Sequence, residues 1–315
     1  MRCVILDDYQ GVATSYADWS VLGDVEVAPV SEHLEGEALL DVLSGAEIVM
    51  VMRERTPLTR ELLERLPDLR LVVTSGMRNA SIDLAACVER GVVVCGTASS
   101  PAPPAELTWA LILGLARHLE REAASLRAGG PWQLTVGRDL AGATLGVVGL
   151  GKIGRRVAQV GRAFGMDVVA WSPHLTDERA AEAGASRAES LSALMAAADV
   201  VTLHLVLSES TRGLVGAAEL GALRPHALLV NTSRAGLVDT GALLEALRAG
   251  RLAGAGLDVF DEEPLPSGHP LRSLPQVLAT PHLGYVTEDN YRTFFSQGVE
   301  DIAAWRAGEP VRRLG

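Results

Sequence analysis

Leu145-Gly146-Val147-Val148-Gly149-Leu150-Gly151-Lys152-Ile153-Gly154 joins a short apolar run to a glycine turn and the start of a helical pattern. A bare GxGxxG is weak, because glycine-rich chains produce it by chance, but here it follows the β-like run Leu145–Val148 and opens the helical stretch Ile153–Phe164. In that context Gly149 permits a tight turn, Gly151 lets a pyrophosphate approach the backbone, and Gly154 packs the helix closely on the strand. The helix N-terminus at Lys152 and Ile153 offers free N–H groups and partial positive charge to phosphates. The acidic residue expected about 20 positions on is absent, because the next strand, Asp167–Trp171, runs into Ser172-Pro173-His174. Ser172 removes the repulsion of a 2′-phosphate without supplying a carboxylate to the ribose. No Arg follows until Arg179, so NAD(H) and NADP(H) both stay open.

Working outward, short apolar runs alternate with helical patterns along the whole chain, the mark of parallel α/β architecture. A first series holds strand-like Cys3–Leu6, Ile48–Met52, Leu71–Val73 and Val92–Val94, with helical Thr59–Leu66 and Asp83–Arg90. The breaker cluster Ser99–Pro104 follows, then one long apolar helix over Ala105–Arg127, closed by Gly129-Gly130-Pro131. A second series holds Leu145–Val148, Asp167–Trp171, Val200–Leu203, Ala227–Val230, Gly256–Val259 and Val277–Ala279, with helical Thr240–Ala249 and a last helix from Thr287 to Ala307. A length of 315 residues fits two domains.

With 39 acids against 28 Lys plus Arg, the net charge of −11 argues against nucleic acid as a partner. Cys3, Cys87 and Cys95 show no metal-ligand spacing and read as reduced core thiols. No signal-peptide core precedes Asp7 and Asp8, and the apolar stretch Trp109–Ala116 is too short for a membrane span. The expectation is a cytoplasmic globular protein with no membrane association and no metal.

In an open parallel sheet, ligands bind beyond the carboxyl ends of the strands. Three of the later strands are followed there by Asn231-Thr232-Ser233-Arg234, by Phe260-Asp261-Glu262-Glu263-Pro264 and by Thr280-Pro281-His282. An Arg grips a carboxylate in a fork, a His exchanges a proton near neutral pH, and a carboxylate holds that His. Taken singly, His282 reads as a capped loop histidine, Arg234 as a helix C-terminal contact and Glu263 as a surface acid. Their succession on one rim, downstream of a dinucleotide turn, favours the joint reading: chemistry on a small carboxylated carbonyl compound.

With these motifs, and with Leu257-Asp258-Val259-Phe260, Glu263-Pro264-Leu265 and Thr280-Pro281-His282-Leu283-Gly284, the chain resembles the D-2-hydroxyacid dehydrogenase family over its whole length. The resemblance implies two Rossmann-like or flavodoxin-like domains. A dinucleotide-binding domain (residues 100–284) would be inserted into a discontinuous substrate domain (residues 1–99 and 285–315). It implies hydride transfer between the cofactor and C2 of a 2-oxo or D-2-hydroxy acid. Arg234 would clamp the substrate, His282 would be the acid–base, and Glu263 would favour its imidazolium. Asp258 would accept from the nicotinamide carboxamide, and Thr232 and His204 would line the cofactor site. Ser75, Gly76 and Met77 occupy the place of the family's carboxylate loop. That loop departs from the usual pattern at Met77-Arg78-Asn79-Ala80-Ser81, and Val206 replaces the usual Pro after His204-Leu205. Apart from the resemblance, Arg53 and Arg55 after the strand-like Ile48–Met52 are two further candidate cations near the substrate, and for at least one of them a solvated charge is the preferred reading. The family implies a homodimer, expected here through Ala105–Arg127, although the same helix would serve as core. A non-enzymatic NAD(H)-sensing regulator on the same fold is the alternative, against which stands the complete Arg–Glu–His set. A dinucleotide-dependent hydrolase or amino-acid dehydrogenase would need a Lys at the strand ends, where none lies.

Overall fold

A computed structural model describes residues 1–315, and the chain divides into two compact units, Met1–Ser100 with Val286–Gly315, and Pro101–Tyr285. The first unit begins with β1 (Arg2–Ile5), β2 (Glu26–Pro29), α1 (Gly36–Leu43), β3 (Ile48–Val51), α2 (Arg60–Glu64), β4 (Leu71–Thr74), α3 (Leu84–Glu89) and β5 (Val93–Gly96). Its strands form one parallel sheet in the order β2-β1-β3-β4-β5, the flavodoxin-like arrangement. Central β3 and β4 are buried at every position, which is why they read as unbroken apolar runs rather than alternating ones. Thr59 and Asp83 cap α2 and α3 by accepting the N–H groups of Leu62 and Ala86.

The second unit holds α4 (Ala102–Ala116), α5 (Leu119–Arg127), β6 (Thr144–Val148), α6 (Lys152–Ala163), β7 (Asp167–Trp171), α7 (Asp177–Glu182), β8 (Ser186–Arg187), α8 (Leu191–Ala197), β9 (Val200–Leu203), α9 (Ala217–Ala222), β10 (Leu228–Asn231), α10 (Thr240–Arg248), β11 (Gly254–Leu257) and β12 (Val277–Ala279). Its parallel sheet runs β12-β11-β10-β9-β6-β7-β8. Numbered within the unit this is the Rossmann order with a seventh strand added, and the direction of winding reverses between β6 and β9. The chain then returns to the first unit as α11 (Glu288–Arg306).

Two sequence expectations are corrected. The helix expected over Ala105–Arg127 breaks at Arg117–His118, where His118 takes a left-handed conformation with φ 49°. The Ala116 carbonyl, which a continuing helix would use, accepts instead from the Arg138 N–H at 3.0 Å. Before the break α4 is packed into the core; after it α5 buries no residue. The strand expected over Gly256–Val259 lies two residues earlier, at Gly254–Leu257. Glycine carries no apolar signal, yet here it is what the packing needs, because a Cβ on Gly256 would stand 3.0 Å from Leu111 Cβ of α4.

Candidate active site

The turn between β6 and α6 needs its glycines for different reasons. Gly149 has φ +100°, and a Cβ there would come within 2.7 Å of the His204 carbonyl carbon, on the loop after neighbouring β9. A Cβ on Gly154 would overlap the Gly149 carbonyl oxygen. Gly151, the residue before α6, has nothing within 4 Å of its Cβ position and forms no side-chain cap. The N–H groups at Lys152 and Ile153 thus start a twelve-residue helix beside open space, the arrangement that receives a phosphate. His204 donates its N–H to the Val148 carbonyl at 2.7 Å, which ties the two loops together at the reversal point. Its Nε2 is shielded without a partner, and burial pushes the imidazole down to about 3, so the ring is neutral. An orphaned ring nitrogen beside an open glycine turn fits a ligand carrying its own polar groups. Ser172, directly after β7, is half-buried, and its carbonyl accepts from the Leu175 N–H.

On the other side of the reversal, the ends of β10, β11 and β12 carry Arg234, Glu263 and His282. After β10, the Asn231 side chain accepts the Ser233 N–H at 3.0 Å and donates to the Arg234 carbonyl at 2.9 Å, fixing the backbone that carries Arg234. Half-buried Arg234 donates from Nη1 to the Ser233 carbonyl at 2.7 Å. Thr232 is buried and shares a hydrogen bond of 2.8 Å with Thr108 of α4. After β11, Glu263 Oε1 accepts the Phe260 N–H at 2.9 Å, which turns the loop back on itself. Its Oε2 lies 2.6 Å from His282 Nδ1. A carboxylate there accepts, so Nδ1 carries the proton facing Glu263 and Nε2 is left for exchange.

His282 itself is held in the left-handed region at φ 53°, unusual for a residue with a side chain. Asp258, fully buried at the end of β11, overdetermines that turn. Its Oδ1 accepts from Thr280 Oγ1 and the Leu283 N–H, both at 2.7 Å, and its Oδ2 accepts from the Gly284 N–H at 2.8 Å. Burial pushes the Asp258 carboxyl up against these donors. The edge of Tyr285 meets the His282 ring at 5.4 Å. Sequence reasoning placed Asp258 at the cofactor and missed this clamp; an acid directly after a strand, 22 residues before Thr280 of the Thr-Pro-His turn, carries no local signal of it.

The residues expected at the substrate lie in the first unit, after β3 and β4. Arg53 has φ 56°, and its N–H donates to Ser75 Oγ at 2.8 Å. Gly76, at φ +94°, donates its N–H to Thr97 Oγ1 at 3.0 Å. Asn79 donates to the Arg53 carbonyl and to Thr74 Oγ1 and accepts the Ser81 N–H, so one side chain ties the two loops. Within this loop the N–H groups of Met77 and Arg78 make no hydrogen bond, and Met77 is exposed.

A parallel sheet with a glycine turn at its reversal point and an Arg, a Glu–His pair and a clamping Asp on its strand ends defines a dinucleotide-dependent oxidoreductase domain. Residues 109–284 match the family described as D-isomer specific 2-hydroxyacid dehydrogenase, NAD binding domain. The chain is 38% identical over 258 residues to a glyoxylate reductase of Aeropyrum pernix, covering 79% of this chain and 77% of the relative. It is 36% identical over 291 residues to a D-3-phosphoglycerate dehydrogenase of Methanocaldococcus jannaschii, covering 91% of this chain but 54% of that longer protein. The crystal structure of a phosphoglycerate oxidoreductase from Vibrio cholerae superposes with a TM-score of 0.93 at 40% identity, over 98% of this chain and 99% of that one. The chain belongs to the D-isomer specific 2-hydroxyacid dehydrogenase family. It spans about half the length of the phosphoglycerate dehydrogenase it matches.

Proposed function

We propose that this protein interconverts a 2-oxo acid and the corresponding D-2-hydroxy acid with NAD(H) or NADP(H). The observation that carries the reading is the 2.6 Å contact between Glu263 and His282 Nδ1 on the rim that also holds Arg234. Gly149, Gly151, Lys152, Ile153 and Gly154 would hold the pyrophosphate, and Ser172, His204, Thr232 and Asp258 the rest of the cofactor. A bound nicotinamide dinucleotide supplies the hydride in reduction and takes it in oxidation. In reduction, His282 Nε2 gives its proton to the carbonyl oxygen at C2. Glu263 keeps the ring oriented and stabilises the imidazolium before the transfer. The Arg234 guanidinium binds the substrate carboxylate and stabilises negative charge developing on oxygen, worth a few kcal/mol per donor. Asp258 acts earlier in the chain of causes, by fixing the turn from which His282 projects. In the first unit, Ser75, Gly76, Met77 and Arg53 form the substrate loop. The Gly76 N–H is spent on Thr97, so the N–H groups of Met77 and Arg78 are the carboxylate donors.

A homodimer is the proposed assembly, through α5 and the segment that follows rather than through buried α4. Leu119, Leu126, Trp132, Leu134 and Val136 are all exposed there, Trp132 by 81% and Val136 by 94%. Large apolar side chains gathered on one segment mark a contact surface. The test of function is a panel of 2-oxo acids, from glyoxylate to 3-phosphohydroxypyruvate, offered with NADH and with NADPH. Oxidation of either cofactor with one or more acids is expected. Tight dinucleotide binding with no oxidation by any acid would leave a sensor as the reading.

A further inference from the structure

Beyond α11 the chain turns at Gly308, and Arg312–Leu314 comes to lie antiparallel against β5. The Gly96 N–H donates to the Arg312 carbonyl at 2.9 Å, and the Leu314 N–H donates to the Val94 carbonyl at 2.8 Å. Arg312 is held at φ 49°, a conformation that costs free energy for any residue with a Cβ. Its side chain shows what holds it there. Nε donates to Asp301 Oδ1 at 3.0 Å, and Nη2 donates to the Gln297 carbonyl at 3.0 Å and to Glu300 Oε2 at 2.9 Å. One guanidinium thus binds one turn of α11 at three points. Asp301 is fully buried, and its Oδ2 has no partner. Fold stability alone gives little reason to place an incompletely satisfied acid in a core.

On the far side of this short strand stands Gly96. A Cβ on Gly96 would lie 3.2 Å from Leu314 Cδ1, 2.7 Å from the Gly76 carbonyl oxygen and 3.3 Å from Met77 Cα. Gly96 is therefore the point where strap and substrate loop press on the same backbone. Thr97, the next residue, bonds the loop directly through its hydroxyl and donates its N–H to the Thr74 carbonyl at 3.1 Å. We propose that Arg312–Leu314 is a positioning strap. Anchored by the Arg312 guanidinium to Asp301 and Glu300, it fixes β5 at Gly96 and so sets the Met77 and Arg78 N–H groups that receive the substrate carboxylate. Arg312 and Leu314 are positioning residues; neither needs to touch the substrate. The proposal rests on the reading of residues 75–78 as the substrate loop.

The test combines kinetics with amide hydrogen exchange on the full chain. In Arg312→Ala, exchange at the hydrogen-bonded Gly76 and Thr97 N–H groups is expected to quicken about tenfold, as local opening becomes easier. The KM for glyoxylate is expected to rise about tenfold, the scale of one misaligned charge-assisted hydrogen bond. Affinity for the dinucleotide and kcat stay near the wild-type values. Leu314→Ala gives the same pattern more weakly and guards against a folding defect in the first variant. Arg312→Lys, which keeps the charge but loses the fork, recovers only part of the KM. Unchanged exchange at Gly76 and Thr97, with the strap itself exchanging freely, would overturn the proposal. Faster exchange at an unchanged KM upholds the strap and overturns the substrate role of the loop. If the wild-type chain reduces no acid at all, the exchange measurement still decides the strap.

Discussion

The end of the second unit's sheet and the end of the first unit's sheet solve a similar problem with different atoms. Beyond β10, β11 and β12 the proposed working groups are side chains: a guanidinium, a carboxylate and an imidazole. Each is steadied by a backbone or buried partner: Arg234 by Asn231, Glu263 by the Phe260 N–H, and His282 by Glu263 and the Asp258 clamp. Beyond β4 the proposed working groups are backbone N–H donors, and the side chains of Thr97, Ser75 and Asn79 steady the loops that carry them. A side-chain site announces itself by residue type, whereas a backbone site depends on shape. The first tolerates changes in what surrounds it but not in the groups themselves. The second tolerates changes of side chain but not of the packing that bends the chain.

The largest break in this comparison is expected at the acid–base pair. His282→Ala should lower kcat by about 10²–10⁴-fold while dinucleotide affinity, read by NADH fluorescence, stays near wild type. Loss of affinity with turnover retained would refute the assignment. Glu263→Gln should cost less, because the amide still accepts from Nδ1 but no longer stabilises the imidazolium. A kcat in Glu263→Gln equal to that of wild type would remove Glu263 from the proton step.

The phosphate turn supplies a sharper comparison within a few residues. Gly154→Ala forces a Cβ into the Gly149 carbonyl oxygen, a backbone clash that cannot be relieved by a rotamer. It should cost about 1–3 kcal/mol of stability, visible as a lower Tm without any ligand. Gly151→Ala meets open space, so its Tm without ligand should match wild type. Its Kd for the dinucleotide should nevertheless rise, because the added methyl occupies the approach to the helix N-terminus. Equal dinucleotide affinity in Gly151→Ala and wild type would exclude this turn as the pyrophosphate site.

These differences explain what could be read in advance. The parallel α/β class was legible because buried central strands such as β3 and β4 leave uninterrupted apolar runs. The rim residues were legible because polar groups follow those runs directly. Edge strands β2 and β8 were not: neither has a buried position, β8 is two polar residues long, and the short apolar run of β2 ends on Pro29, which speaks against a strand. The break at His118 was hidden for a related reason. Leu119 and Leu126 continue the helical spacing of α4, and spacing does not distinguish an apolar face buried in its own unit from one left exposed. Least visible were residues proposed to act through others, such as Asp258 and Arg312, whose partners lie across a turn or along another element.

Asp301 gives the smallest expected effect and tests the steadying side of the comparison by pH. Burial pushes its carboxyl up to about 7, the pull of Arg312 offsetting this only in part. The charged and titratable groups about it are Arg312, Glu300, the Cys95 thiol of β5 and Arg313. In an unfolded chain the same carboxyl releases its proton near pH 4. Between about pH 4 and 7 the folded state therefore holds a proton that the unfolded state has lost, and stability falls as pH rises through that window. Asp301→Asn removes the titration, so its Tm should fall less than that of wild type between pH 5 and pH 8, by a few degrees at most in a chain of this size. Parallel Tm–pH curves for the two proteins would show that Asp301 is ionised throughout. Arg312 would then face a full negative charge in the core, and removing the guanidinium would be more damaging than removing the acid.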